Sequence, residues 1–451
     1  MKYAMYESYK PSGVEWLDAV PSHWTVKAAR FGYSIQLGKM LQPESLSPTD
    51  VETTYLKSQH VQWESVRVDD LPLMWASPSE LVKYGVQDGD LLVCEGGDVG
   101  RAGIVKEVPQ ATIIQNALHC VRPRSWHDIR FLMYVLEHAS NQSWFDIICN
   151  RSTIAHFTGE KFGALRVPSP PIDEQQTIAR FLDAKTAQID ELIAKKRQLV
   201  DKLKEKRSAL VARTVTRGLP PEAAKAAGLE PNPEMKPLFS SWIDECPSHW
   251  SVKPLKFVAK IKTGFAFSSD DFTDEGIPVL RIGDISRDGD VDLSDAKYLP
   301  AEYLGSHASV NVKNGDILMA MTGATIGKAA RFKLNSPALL NQRVCAFRAQ
   351  TALHQGYLWF ILNSNFYVRY VLLIAFGGAQ PNISDKQLLD CCVPVPPEGE
   401  QGAISEYLEA ETSKLENLIS QAYSAINRLT EYRQALITSA VTGKIDVREL
   451  A

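Results

Sequence analysis

No stretch of the 451 residues holds the roughly 18 consecutive apolar side chains that a membrane-crossing helix needs. The opening residues, Met1-Lys2-Tyr3-Ala4-Met5-Tyr6, lack the apolar core of a secretion signal. Export is therefore not expected, and a cytoplasmic protein is. Cysteine is sparse: seven residues, an odd number without paired spacing, suit a reducing compartment rather than a disulfide framework. Cys391-Cys392 has no second pair to complete a zinc site, so buried thiols are expected there. A surplus of basic residues is also missing. Lys and Arg number 49 against 53 Asp and Glu, a formal charge of −4, which argues mildly against a protein that binds a duplex unaided. That objection weakens if partner subunits supply part of a positive clamp.

Catalytic signatures are missing as well. Gly323-Ala324-Thr325-Ile326-Gly327-Lys328-Ala329 is one residue short of a phosphate-binding loop, and Ala329 cannot ligate Mg2+ as Ser or Thr would. No Asn-Pro-Pro-Tyr or Asp-Pro-Pro-Tyr occurs, and Ser169-Pro170-Pro171-Ile172 offers neither an amide nor an aromatic ring to an adenine. The Glu-x-Lys triplet Glu234-Met235-Lys236 falls in a stretch that reads as linker, so no nuclease core is evident. His23 and His249 read as packing or capping residues, without a paired acid or nucleophile.

What the chain does have is a duplication. Trp16-Leu-Asp-Ala-Val-Pro-Ser-His-Trp-Thr-Val-Lys27 returns as Trp242-Ile-Asp-Glu-Cys-Pro-Ser-His-Trp-Ser-Val-Lys253. At nearly the same offset Gly89-Asp90-Leu91-Leu92 matches Gly315-Asp316-Ile317-Leu318, and Gly100-Arg101-Ala102 matches Gly327-Lys328-Ala329. Gln115-Asn116 matches Asn341-Gln342, and Val121-Arg122 matches Phe347-Arg348. Pro168-Ser169-Pro170-Pro171 with Glu174-Gln175 matches Pro394-Val395-Pro396-Pro397 with Glu400-Gln401. Both halves thus share one architecture, while low identity between the landmarks leaves them free to take different ligands.

Each half divides into a globular part and a helix. Short strand-like runs (Gly89–Cys94, Gly315–Ala320) and amphipathic helical ones (Phe131–Leu136, Tyr357–Leu362) make the globular parts mixed α and β. Pro-rich boundaries then launch long helices. Their apolar heptad columns are Leu182, Ile189, Leu203 and Leu210 with Ile178, Leu192 and Leu199 in the first, and Leu408, Leu415, Leu429 and Leu436 with Ile404 and Leu418 in the second. Ala422 and Ala425 fill further core positions. The expected division is a globular part over 1–171, a helix over 172–214, a Pro/Ala-rich linker over 215–240, a second globular part over 241–397 and a second helix over 398–443. The fold class is α+β: two similar α/β parts alternating with two long helices that pack as an antiparallel coiled coil, a pseudo-two-fold tandem repeat.

In that order the landmarks resemble the DNA-specificity subunits of type I restriction–modification systems, over essentially the whole chain. The resemblance rests on the two Trp…Pro-Ser-His-Trp boxes, on Gly315-Asp316-Ile317-Leu318 with Thr325-Ile326-Gly327-Lys328, on Gln380-Pro381-Asn382-Ile383-Ser384, and on Pro394-x-Pro396-Pro397-x-x-Glu400-Gln401. The first half departs from it at Thr153-Ile154-Ala155-His156-Phe157-Thr158 and Glu95-Gly96-Gly97-Asp98. The resemblance implies two target-recognition domains, each reading one half of a bipartite, asymmetric double-stranded DNA target, with the helices as the ruler between them. It implies two methyltransferase subunits carrying S-adenosylmethionine and two restriction/translocase subunits using ATP and Mg2+, with no cofactor on this chain. Arg, Lys, Asn and Gln in loops are the natural readers of guanine and adenine edges. The candidates are Lys57, Arg101, Gln115, Asn116, His156 and Lys161 in the first half, and Arg281, Lys328, Asn341, Gln342, Gln380 and Asn382 in the second. Lys and Arg at such places serve phosphate equally well, and internal loop contacts are the alternative for each. Three other readings stay open: a protein-interaction scaffold without DNA, an enzyme with an unrecognised site, and a specificity subunit serving a methyltransferase alone.

Overall fold

The computed structural model describes residues 3–124, 127–149, 156–238, 242–286, 289–375 and 381–449. The chain folds as two compact units, residues 1–197 with 424–451, and residues 198–423. Each unit is therefore assembled from both halves of the sequence. A five-stranded sheet in the first unit runs in the order Tyr33–Leu37, Leu118–Pro123, Leu91–Cys94, Ala102–Ile104, Glu64–Ser65. A three-stranded sheet, Ile113–Ile114, Val51–Leu56, Leu73–Ala76, lies with it. The second unit has two four-stranded sheets built on the same plan, including a parallel pair, Ile277–Leu280 with Ala338–Leu340, that corresponds to Val51–Leu56 with Ile113–Ile114. Registers agree as well: His119 faces Leu37 in one unit, and Cys345 faces Thr263 in the other. The central strands Leu91–Cys94 and Ile317–Ala320 are buried along their whole length, as continuous apolar runs should be.

The long helices span Ile172–Arg217 and Glu398–Val441, about 69 and 66 Å at 1.5 Å per residue. Within the second unit they lie antiparallel: Lys204 Nζ meets the Tyr423 hydroxyl at 3.0 Å, and Arg207 meets Glu416 at 3.0 Å. In the first unit Arg433 and Asp190 form the repeat-equivalent pair at 3.2 Å. Charge favours this partner choice, because the first helix carries eleven Lys and Arg against seven acids, and the second only three against seven.

One column of each seam lies where the heptads place it: Leu182, Ile189, Leu408, Leu415 and Leu436 are buried, and Leu203, Leu210 and Leu429 are half-buried. The other starts in place, with Ile178 and Ile404 fully buried, and is then displaced by one residue. Leu192 (48% exposed), Leu199 (42%) and Leu418 (48%) face out, while Ile193, Val200 and Ile426 are buried. Side chains three and four places beyond Ile189 straddle its column, and here the four-step flank packs inward. Burying an Ile or Val there contributes about 1.5–3 kcal/mol each. That flank also completes the globular cores. Ile426, Leu436, Ile437, Ala440 and Val441 of the second helix join the core of the first unit, and Val211 and Val215 of the first helix join that of the second.

The stretch expected as a linker is structured. The first long helix continues to Arg217, a short helix covers Pro221–Ala226, and Met235–Pro237 pairs with Glu245–Pro247. That ribbon repeats Tyr9–Val14 with Leu17–Pro21, since Tyr9 faces Pro21 as Met235 faces Pro247. Three alternating residues with a proline carry too little periodicity to read as a strand. Beyond the second helix the chain returns to its start, where the Asp446 amide donates to the Ala4 carbonyl at 2.8 Å. All seven cysteines are free; six are buried, but Cys392 is exposed, against expectation, because it opens an edge strand on the outward side of the pleat. Among the described residues no single helix is long and apolar enough to cross a membrane.

Candidate nucleic-acid interface

The repeated landmarks form a frame. His23 Nε2 lies 2.9 Å from Glu174 Oε2, and His249 Nε2 lies 2.9 Å from Glu400 Oε2. Each histidine thus has the paired acid that the sequence analysis did not find, because the partner stands 151 positions away at the start of a long helix. The role is structural. Glu174 also accepts from the Trp24 indole N–H at 3.0 Å and from the Tyr6 hydroxyl at 2.5 Å, and burial with that carboxylate holds the phenol far above its ordinary pKa. The neighbouring Gln175 and Gln401 accept from the amides of Asp128 and His354, at 2.9 and 2.7 Å, tying each long helix to its globular part.

The same boxes receive the ends of the long helices. Gly218 (φ +83°) packs on Trp250 and Pro247, and Gly443 (φ +72°) on Pro21 and Trp24. A Cβ at Gly443 would run into the Pro21 ring, so glycine is required there both for its left-handed backbone and for the close approach. A third recurring contact joins two more landmarks. Arg122 grips Asp90 with both contacts at 2.6 Å, and Arg348 grips Asp316 at 2.7 and 2.6 Å. Both carboxylates are almost fully buried and also accept from the backbone of their own turn, at Gln87 and Lys313.

Away from this frame, at one end of the paired parallel strands, each unit gathers polar loops. In the second, the Asn341 amide donates to the Leu280 carbonyl at 3.0 Å, which brings Asn341 and Gln342 beside Arg281. These three line one cleft of about 720 Å3 with Phe272, Asp295 and Arg343. In the first unit, Gln115 donates to Leu56 at 2.9 Å and stands next to Lys57, so Lys57, Gln115 and Asn116 occupy the corresponding place. Lys57 and Arg281 both precede a one-turn 3-10 helix, Ser58–His60 and Ile282–Asp284. A second group lies on the following loops. His156 is exposed, 3.7 Å from Glu95, and Lys161 Nζ donates to the His156 carbonyl at 3.2 Å. Exposed Asn382 bridges Thr322 in the second unit, and half-buried Lys328 follows on that loop's turn. Gln380 lies outside the described residues, as do Thr153, Ile154 and Ala155. The Phe157 and Ile383 amides hold equivalent anchors, on Glu95 and Met321, although the loops differ in sequence.

The geometry sorts the candidates. Arg101 is occupied internally, with Asp98 on one guanidinium nitrogen and the Ser58 carbonyl at 3.0 Å on the other. Arg281 Nη2 donates to the Asp295 carbonyl at 2.6 Å and lies 3.6 Å from Asp284. Burial lifts the Asp284 carboxyl above its usual range, against the pull of the Arg281 amide and guanidinium. Gln342 is exposed, and Gln115, Asn116 and Asn341 are partly so, with no side-chain hydrogen bond among the described residues. Arg343 was not among the sequence candidates; its signal was a cationic residue directly after the Asn-Gln landmark, where the first copy has Ala117. On exposed turns an amide can donate and accept at base edges and a guanidinium can donate, whereas the buried Asp–Arg pairs cannot. Among the described residues no three His, Cys, Asp or Glu gather into a metal-binding group.

A family model described as the type I restriction modification DNA specificity domain matches residues 80–202 and 247–427. The type I restriction enzyme MjaVIII specificity subunit of Methanocaldococcus jannaschii is 26% identical over 437 residues, covering 96% of this chain and 95% of its own length. The EcoKI specificity subunit of Escherichia coli K12 is 23% identical, over 90% and 89% of the two chains. Among solved structures, a chain from a study of complex assembly and conformational transition of the type I R-M system superposes with a TM-score of 0.70 at 14% identity, covering 94% of this chain and 98% of that one. The HsdS subunit of Thermoanaerobacter tengcongensis gives 0.50 at 15% identity, with the same coverage.

Proposed function

This chain belongs to the type I restriction–modification DNA specificity family, and we propose that its two units divide one bipartite DNA target between them. The chain is the sequence-recognising subunit of such a system and partners DNA and other restriction–modification subunits. Each globular part reads one asymmetric half-site through its polar end loops. The long helices set the spacer and dock two methyltransferase subunits, and two restriction/translocase subunits complete the assembly. S-adenosylmethionine, ATP and Mg2+ act on those partners, in the cytoplasm where the target DNA lies. The partners also supply positive charge that this chain, at −4, does not carry in surplus.

One observation carries this reading: the two units keep the same frame and differ at the same polar clefts. The pairs His23–Glu174 and His249–Glu400, and Asp90–Arg122 and Asp316–Arg348, are retained. The cleft positions change from Lys57 to Arg281, from Gln115-Asn116-Ala117 to Asn341-Gln342-Arg343, and from His156 to Asn382. Equal frames put the two readers on half-sites in equivalent poses, and unequal side chains make the half-sites different. The test is to co-express the chain with its methyltransferase partner and map adenine methylation across the host genome. One bipartite asymmetric motif is expected; active methylation without such a motif contradicts the reading.

A further inference from the structure

Asn341, Gln342 and Arg343 connect Ala338–Leu340 to Val344–Ala349 by a turn that the Val344 amide closes on the Asn341 carbonyl at 2.9 Å. Gln342 and Arg343 are the two central residues of that turn, and both are exposed. The turn is itself held in place, because the Arg343 carbonyl accepts from the Met321 amide at 2.9 Å and the Gln342 amide donates to Phe265 at 2.9 Å. A guanidinium on such a base has a fixed origin and a free head. Two arginines line the cleft, and their states differ. Arg281 turns inward to Asp295 and Asp284, with its Nε buried. The Arg343 side chain makes no hydrogen bond or ion pair among the described residues, and it is exposed. The first unit closes the same turn by Leu118 on Gln115 at 2.9 Å, but its central residues are Asn116 and Ala117.

From this asymmetry we infer that Arg343 is a specificity-determining residue of the second globular part, which reads one guanine of its half-site through paired N–H donors to O6 and N7. Arg281 braces the cleft wall. The inference rests on the proposal that the second unit reads one half-site, and it adds which residue reads which base. A planar guanidinium fork matches the guanine edge in a way a lysine ammonium does not, so Arg343→Lys keeps charge while losing the match. Contact with phosphate would show the opposite behaviour, tolerating Lys and carrying no base preference.

The test maps methylation by the full chain co-expressed with its methyltransferase partner, as wild type, Arg343→Ala and Arg343→Lys. Both variants are expected to keep the spacer and the first half-site. One G·C position of the second half-site should relax, with discrimination falling on the order of 10- to 100-fold. Arg343→Lys with wild-type discrimination, Arg343→Ala with methylation lowered evenly and no position relaxed, or relaxation at an A·T position would each overturn the inference. A wild-type chain that methylates no bipartite motif overturns the half-site reading and this inference together.

Discussion

Glu174 and Glu400 occupy equivalent positions, yet replacing them should have unequal effects. Glu174 accepts from three side chains, Tyr6, His23 and Trp24, and the first and last are buried. Glu400 accepts from His249, whose side chain is 46% exposed, and the Trp250 indole nitrogen does not reach it. Glu174→Ala strands two buried donors, each at about 1–3 kcal/mol, so a loss of roughly 2–6 kcal/mol is expected. Glu400→Ala frees one histidine that water can solvate, for about 0.5–1 kcal/mol. Glu174→Gln keeps an acceptor oxygen and should fall between. Native-state hydrogen exchange reads the two units separately, with the Asp446 amide, bonded to Ala4, reporting the first. Equal losses at the two positions would refute the reasoning, as would a larger loss for Glu400→Ala.

Two further outcomes follow from the same geometry. His138 is buried against Thr438, 3.0 Å from its hydroxyl, and burial holds its pKa down at about 4; His119 is lowered by the same cause. The unfolded chain takes up that proton near pH 6.5 and the folded one only near 4, so stability is full above 6.5 and is lost as pH falls through this window. His138 alone accounts for up to about 3 kcal/mol, and none of the second unit's histidines (His249, His307, His354) is buried. Burial raises the neighbouring Glu137 carboxyl to about 7, which acts in the opposite sense over the same window. The His138 contribution is therefore read as a difference: His138→Asn should make exchange protection of the first unit more acid-resistant than wild type between pH 7 and 4.5, an unchanged pH profile contradicting it. Removing a matched heptad, between Asp190 and Arg207 on one long helix and between Glu416 and Arg433 on the other, keeps both charged pairs in register. Seven residues span about 10.5 Å, so the methylated motif should lose roughly three base pairs of spacer with both half-sites unchanged; an altered half-site contradicts the ruler.

Periodicity and repetition made the architecture legible because they are local or additive signals. The strands Leu91–Cys94 and Ile317–Ala320, the helices around Phe131 and Tyr357, and the principal heptad column all appear as strings of neighbours. What escaped was long-range partnership. His23 and Glu174 were each noticed as landmarks, as were Asp90 and Arg122, but nothing in their spacing says that they touch. The seam shifted from Leu192 to Ile193 because the flank that packs is chosen by the globular core beside it, not by the heptad alone. The cleft residues were partly legible: Asn341 and Gln342 stood out as repeated amides, while Arg343 was hidden by being unrepeated. Arg101 and Arg281 had the right chemistry, but each turns its Nη2 to a carbonyl inside the fold.

The most direct test of the central claim exchanges one reader. Residues 241–397 are replaced by the corresponding segment of another specificity subunit with a different target, and methylation by the co-expressed complex is mapped. One half-site is expected to change to the donor's, while the other half-site and the spacer stay as they were. A change in both half-sites, or in neither, contradicts it.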